Sequence, residues 1–547
     1  MIGFKKSLLA PGLALALISC GCPATTASDR GPEAVADSKP STEQARVVID
    51  TTTLRHRVDP RVFGMHIEWV ENGLGLFDSR SGRLRADVLE LIQPLGIPLF
   101  RFPGGIHADY YDWRMGTGSA EARKTSNNVF NGAKEEHRFG TREFIDLLTA
   151  TRAEALITAN VGTGTAKEAG EWATFFRTQG NPVGLWEVGN ETYLTDPKGD
   201  QPNGRKIHRT PEDYASAFPG FRKAIRTASP DAMVGAIAHL DSGAFPLAPT
   251  SNSHWSEKML RALKGKADFI AVHNAYAPVI LDDSVDFERP KERRDAYRSF
   301  YAAAEQTAEN LSEIAELVDT LSPANKGIPI AVTEFGPFFG LSGNREIHAE
   351  YVDQTRTLAA ALYTASILHV LIDDPRVMMA CYTNPIHRWY GSLLTDTDEG
   401  LITTPTYHLY TLYRSRFERQ LVKATVTSPT FSTRQIGIVK AHNKVPDLLA
   451  QTTVSDDGLR LTALLTNRSV EHRLETTVVI EGFEPASVDC QVLTAPSPAA
   501  INGPAVSKST VAGSTVSPQP MPCTAGREIK LVIPPNSVVS LVAKTGG

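Results

Sequence analysis

No stretch of this 547-residue chain reaches the ~18 apolar residues that a membrane-crossing helix requires. Nor does any run of Lys or Arg mark a nucleic-acid surface. The formal net charge of −5 gives no basic cleft for a polyanion, so a neutral substrate is expected and a nucleic-acid partner is not. Cysteine is sparse, five in all, and no Cys/His spacing matches a zinc site. The Gly-x-Ser-x-Gly, His-Glu-x-x-His and P-loop patterns are missing, which removes the commonest esterase, zinc-protease and NTPase readings. Gly162-Thr163-Gly164 lacks the third glycine of a dinucleotide loop, with Lys167 in its place. What remains is an ordinary globular mixture, 41% hydrophobic and 21% charged, with material for more than one core and no cofactor or metal expected.

The first residues carry a different signal. Lys5 and Lys6 precede an apolar run, Leu8 to Ile18, that is too short for a hydrocarbon layer of ~30 Å. Leu17-Ile18-Ser19-Cys20 resembles the bacterial lipobox. Residues 1–20 are therefore expected to be an export signal, cleaved to leave a lipidated Cys20. The protein is expected in the cell envelope, joined to the membrane by that lipid. Residues 21–44 hold almost no large apolar groups and cannot offset their ordering entropy, so they read as a flexible spacer.

From residue 55 to 416 short apolar runs alternate with amphipathic stretches, the rhythm of a parallel (β/α)8 barrel. Expected strands include Leu99 to Phe102, Ala155 to Asn160, Leu185 to Val188, Met233 to Ala236, Phe269 to His273, Pro329 to Val332 and Met378 to Tyr382. Expected helices include 141–152, 211–228 and 297–321. Over 417–547 the helical period disappears, and β-prone runs between Gly/Pro turns predict an antiparallel β-sandwich, with residues 45–54 returning to it as an extra strand. Cys381 falls in a run that reads as a buried strand. Cys490 and Cys523 lie in the β-rich region, where a disulfide and two unpaired core thiols fit the sequence equally.

Two strand-like runs end in glutamate: Trp186-Glu187-Val188-Gly189-Asn190-Glu191 and Val332-Thr333-Glu334-Phe335-Gly336. They are 334 − 191 = 143 residues apart and can meet only where barrel strands converge on one rim. Two carboxyls facing across a cleft can break a glycosidic bond. Glu191 is expected to be the acid/base, in surroundings that raise its pKa, and Glu334 the ionised nucleophile. Asn190 stands where its amide reaches a sugar 2-hydroxyl. Arg101 keeps a nearby carboxylate charged, and Glu68 at the end of the first strand is placed to bond ring hydroxyls. Tyr110, Tyr111, Trp113, Trp389 and Tyr390 offer faces for stacking on sugar C–H groups.

Around these residues the chain resembles the α-L-arabinofuranosidases of glycoside hydrolase family 51, within the clan of retaining barrel glycosidases. Five stretches carry the resemblance: Phe63 to Glu68; Arg101-Phe102-Pro103-Gly104-Gly105 to Trp113; Arg138 to Phe144; Asn160 to Ala169; and Thr404-Pro405-Thr406-Tyr407-His408. The resemblance implies double displacement without a metal and adds His273 and Tyr276 as sugar-binding residues. Members of that family are often homo-oligomers, a partner the sequence leaves open.

The chain departs from the pattern in places. Ile106 and His107 follow Pro-Gly-Gly where an asparagine is usual. His273-Asn274-Ala275-Tyr276 displaces the tyrosine by one. Glu187-Val188 and Thr192-Tyr193 are uncommon neighbours of the acid/base. The expected activity is release of α-L-arabinofuranosyl units from polysaccharide or oligosaccharide side chains. The alternatives are a β-xylosidase, β-glucosidase or β-glucuronidase on the same two glutamates, or a non-catalytic carbohydrate-binding surface lipoprotein.

Overall fold

In the computed structural model the described residues are 41–129, 132–194, 209–240, 254–263, 266–273, 285–286, 289–337, 353–387, 391–505, 510–513 and 515–546. The export signal, Cys20, most of the spacer, Tyr276, Trp389 and Tyr390 lie outside them.

Eight parallel strands close into a barrel in chain order: Gly64–His66, Leu99–Phe102, Glu154–Ala159, Leu185–Val188, Met233–Ile237, Ile270–Val272, Ile330–Phe335 and Val377–Thr383. The last pairs with the first, Cys381 opposite Gly64 and Thr383 opposite His66. Their residues are buried almost throughout because helices cover the outside and side chains fill the inside. A charged group in such a strand therefore has to find a partner within the barrel.

The surrounding helices start where the sequence marks them. Thr165, Thr210 and Thr404 each accept a backbone N–H at a helix N-terminus, and Pro211 and Pro405 take the first helical position, where no N–H is needed. The helix expected at 297–321 begins earlier, at Pro290. Its first turn, Lys291 to Arg294, is charged and carries no apolar stripe to read. Helix Leu358–Asp373 is apolar on all sides, and the reason lies in its neighbours: it packs on helices Pro290–Leu321 and Pro405–Arg416 and on strands of the second domain. Among the described residues no helix is long and apolar enough to cross a membrane.

The second domain is a nine-stranded sheet with its own core of Val47, Ile49, Leu461, Val478 and Leu541. Strand Ser41–Arg57 lies inside this sheet, between Gln420–Thr427, with which it runs antiparallel, and His472–Glu481, with which it runs parallel. The other neighbouring pairs in the sheet are antiparallel. Cys490 and Cys523 are joined by a disulfide, and Cys381 is a free buried thiol of the eighth barrel strand.

Arg468 holds the two domains together. It is fully buried, donates to both oxygens of Glu305 (3.0 and 2.9 Å) and also reaches the carbonyls of Tyr301 and Pro446.

Candidate active site

At the C-terminal ends of the strands the charged side chains converge on one guanidinium. Arg101, in the second strand, is completely buried and uses each of its nitrogens. Nε donates to Glu187 Oε1 on the fourth strand. Nη1 donates to Glu334 Oε1 on the seventh (2.6 Å) and to His66 Nδ1 on the first (2.9 Å), and Nη2 to Asn190 Oδ1 (2.8 Å). Arginine cannot accept a hydrogen bond, so His66 Nδ1 must be the acceptor and its proton sits on Nε2, facing Glu68 Oε1 at 3.4 Å.

Glu334 is nearly closed to solvent, its side chain 8% exposed, whereas that of Glu191 is 26% exposed. Burial works to raise the Glu334 carboxyl, but the positive charge of His273 and Arg101, with the hydrogen bond from Arg101, outweighs it and holds the group below the usual carboxylate range. Glu191 has a different partner. His273, just past the sixth strand, is hydrogen-bonded through Nδ1 to Glu191 Oε1 (2.9 Å) and through Nε2 to the Thr333 hydroxyl (3.0 Å). Burial pulls this imidazole down; Glu334 and Glu191 together lift it above the ordinary histidine value.

One oxygen of Glu191, one of Glu334 and a ring nitrogen of His273 lie within 4.8 Å of one another. That spacing leaves room for an anomeric carbon between the carboxyls. The ~6.5–9.5 Å separation of an inverting pair would also admit a water. Two carboxylates and an imidazole are also a metal-type donor set, but a guanidinium 2.6 Å from Glu334 already supplies the fixed positive charge there.

Three glycine-dependent approaches shape the mouth. A Cβ on Gly104 would meet the His66 ring at 2.4 Å, and one on Gly105 would meet Glu68 Oε1 at 2.4 Å; both residues have positive φ. Gly189 (φ 81°) turns the chain out of the fourth strand to present Asn190 and Glu191, and a Cβ there would strike Val161. Glu68 accepts from His107 Nδ1. Burial pushes its carboxyl up, and His107 and His66 more than reverse this, bringing it to about 2. His107 Nε2 accepts the Val129 N–H, which fixes its proton on Nδ1.

Trp113 stands apart from this cluster. Its indole N–H donates to the Glu168 carbonyl, and its ring packs on Trp172 and Phe175 with Arg114 over it, so its contacts are with helix Ala166–Thr178 and not with the glutamates. Tyr111 is buried in an aromatic cluster with Trp69, Phe102 and Trp172.

Sequence reasoning missed four contributors: His66, His107, Asp109 and Glu187. Asp109 is buried, accepts the Val161 and Gly162 N–H groups on Oδ1 (3.1 and 3.0 Å), and accepts the Asn190 N–H on Oδ2 (2.8 Å). It thus ties the loop after the second strand to those after the third and fourth. The signal available for Glu187 was a charge inside an otherwise apolar strand.

Comparison with known proteins shows what the chain is similar to. The family description "Alpha-L-arabinofuranosidase C-terminal domain" matches residues 339–537, and "Alpha-L-arabinofuranosidase 1 domain" matches residues 91–179. An intracellular exo-α-L-arabinofuranosidase of Bacteroides ovatus is 22% identical, over 75% of this chain and 77% of its own length. An intracellular exo-α-(1→5)-L-arabinofuranosidase of Streptomyces lividans is 25% identical, over 80% of this chain and 67% of its own. The arabinofuranosidase of Thermotoga maritima, solved with arabinose, superposes with a TM-score of 0.73 at 23% identity, covering 92% of this chain and all of that one.

These relatives overturn the envelope location expected from Leu17 to Cys20, because they are named as intracellular enzymes. A short apolar run ahead of a cysteine is a compositional signal that many sequences satisfy without export.

Proposed function

From the premise that this chain is a divergent member of the family 51 α-L-arabinofuranosidases and a retaining glycoside hydrolase, we propose that it is an exo-acting α-L-arabinofuranosidase. In this reading it removes terminal arabinofuranosyl units from oligosaccharide or polysaccharide side chains. The observation that carries the reading is the division of partners at the mouth. Glu334 is bound to a permanent cation and nearly closed to water, whereas Glu191 is more open and bound to an imidazole.

The chemistry follows from that division. Glu334, kept ionised by Arg101, attacks the anomeric carbon while protonated Glu191 delivers its proton to the leaving oxygen, giving a glycosyl-enzyme and the free alcohol. Glu191, now a carboxylate, takes a proton from water, which attacks the same carbon and releases Glu334. His273 connects Glu191 with Thr333, next to the nucleophile, and holds the acid/base side chain in place through both steps. Glu68, Asn190 and His273 line the sugar site, Asn190 with its carbonyl oxygen fixed by Arg101 and its amide N–H2 left for a hydroxyl. Residues 55–416 form the catalytic unit, with 417–547 and strand 45–54 as its accessory domain.

A second reading keeps both glutamates and changes the sugar. Ile106, at the start of the short turn Ile106–Tyr110, supplies no polar group where relatives of this type have an asparagine, which favours a β-xyloside, β-glucoside or β-glucuronide. A screen of aryl α-L-arabinofuranoside, β-D-xyloside, β-D-glucoside and β-D-glucuronide, with Glu334→Ala as control, separates the two. Arabinofuranoside turnover that is lost in the variant supports the first reading. Turnover of a β-pyranoside moves the substrate, and inactivity on all four overturns both.

A further inference from the structure

Glu187 is a full carboxylate inside a barrel strand, with no exposed surface. One oxygen accepts from Arg101 Nε and from the Thr158 hydroxyl (2.6 Å); the other has no hydrogen-bond partner among the described residues. A buried carboxylate with half its capacity unused is a costly arrangement for packing alone, since an apolar side chain would fill the strand without the desolvation penalty. Its position gives a reason. Arg101 is planar, and its Nη atoms serve Glu334, His66 and Asn190, so whatever holds Nε fixes the plane in which the other two nitrogens are presented. Glu187 is what holds Nε, and the Thr158 hydroxyl, one strand away, holds the same Glu187 oxygen.

We propose that Glu187 is a positioning residue of the double displacement, acting through Arg101 on the nucleophile Glu334 and on Asn190. The inference rests on the retaining mechanism given above.

Two consequences separate it from a merely structural role. Glu187 shares the Arg101 guanidinium with Glu334, so its negative charge reduces the share of Arg101 available to the nucleophile. Glu334 is also faced by His66 on the first strand, His273 past the sixth, Glu191 past the fourth and the Cys381 thiol on the eighth, all of which stay in place when Glu187 alone is changed. Glu187→Gln keeps an oxygen for Arg101 Nε and removes the charge. The acid limb of kcat/KM, which reports ionisation of the nucleophile in free enzyme, should then move downward by about one pH unit. Glu187→Asp keeps the charge and shortens the reach, leaving Arg101 unheld; kcat should fall by ~10²-fold with KM little changed, as expected for a misplaced reacting group.

The test is the pH profile of both variants on whichever aryl glycoside the wild type turns over, with thermal unfolding as the check on folding. An unmoved acid limb in folded Glu187→Gln would overturn the proposal. If that variant does not fold, Thr158→Val takes its place: deprived of the hydroxyl, Glu187 draws more on Arg101, and the acid limb should move upward. An unmoved limb there overturns the proposal equally. The same displacement is readable without any substrate from the 13C resonance of the Glu334 carboxyl, assigned by its loss in Glu334→Gln. A wild type inactive on every glycoside would therefore refute the proposed function, while the resonance would still decide the role of Glu187.

Discussion

Arg101 Nη1 lies 2.6 Å from Glu334 Oε1, whereas the polar partner of Glu191 is His273, 2.9 Å away. Two carboxyls with oxygens within 4.8 Å of one another thus have different counter-groups: a permanent cation for one, a titratable ring for the other. A pair that must hold unequal protonation states needs unequal surroundings, and this difference of partners supplies them.

With Glu334 as the proposed nucleophile, its removal should stop the reaction whatever the leaving group. Glu334→Ala is expected to lower kcat by about 10⁴-fold or more on aryl and natural glycosides alike, measured by initial rates on both.

With Glu191 as the proposed acid/base, its removal should discriminate between them. Glu191→Ala is expected to lose ~10²- to 10⁴-fold on a natural linkage and far less on an activated aryl glycoside, whose leaving group needs little proton donation. Equal losses on the two substrates would reverse the roles given to the glutamates.

His273 gives stability a pH dependence. Its folded value is raised, so its contribution is complete below about pH 6.5, the unfolded value, and is lost as pH rises through the folded one. The gap in thermal midpoint between wild type and His273→Asn should be wider at pH 6 than at pH 9, as read by calorimetry. A gap that does not change with pH would mean that the ring is not held charged by the two glutamates.

Asp109→Asn should affect folding and rate together. The amide nitrogen cannot accept, so at least one of the Val161, Gly162 and Asn190 N–H groups loses its partner, at a cost of about 1–3 kcal/mol. Asn190 and Glu191 follow directly on that clamp, so a fall in kcat should accompany the lower denaturation midpoint.

At the domain junction, Arg468→Ala leaves Glu305 without its bidentate partner and should destabilise the protein by about 3–5 kcal/mol. The barrel mouth is not touched by this change, so kcat at low temperature should be preserved in the folded fraction.

How much of this could be read from the sequence depended on how local each signal was. Strand runs ending in Glu191 and Glu334 were visible because a parallel barrel strand is a short apolar block whose first polar residue marks the rim. Glu187 and His66 lie within such blocks and take their meaning from Arg101, 86 and 35 residues away, a relation with no periodic signature. Asp109 works on backbone N–H groups 52 to 81 residues further along, which no side-chain pattern encodes. Trp113 reads as a sugar platform from its aromatic face alone. Its ring is instead occupied by helix Ala166–Thr178, a packing choice that only the fold decides. The envelope location failed for the opposite reason: its signal was local and too permissive.

Strand Ser41–Arg57 joins Gln420–Thr427 on one side and His472–Glu481 on the other, and it leaves the ribosome before either of them. Its partners are made some 360 to 430 residues later, about 20 to 90 s at ordinary elongation rates of ~5–20 residues per second. During that interval the eight barrel strands can all emerge and close, while a strand carrying Val47 and Ile49 has no sheet to enter. The sheet domain is thus secured last at both ends of the polypeptide. A shortened version starting after Arg57 would remove an inner rung and leave Gln420–Thr427 and His472–Glu481 facing each other across an unfilled gap.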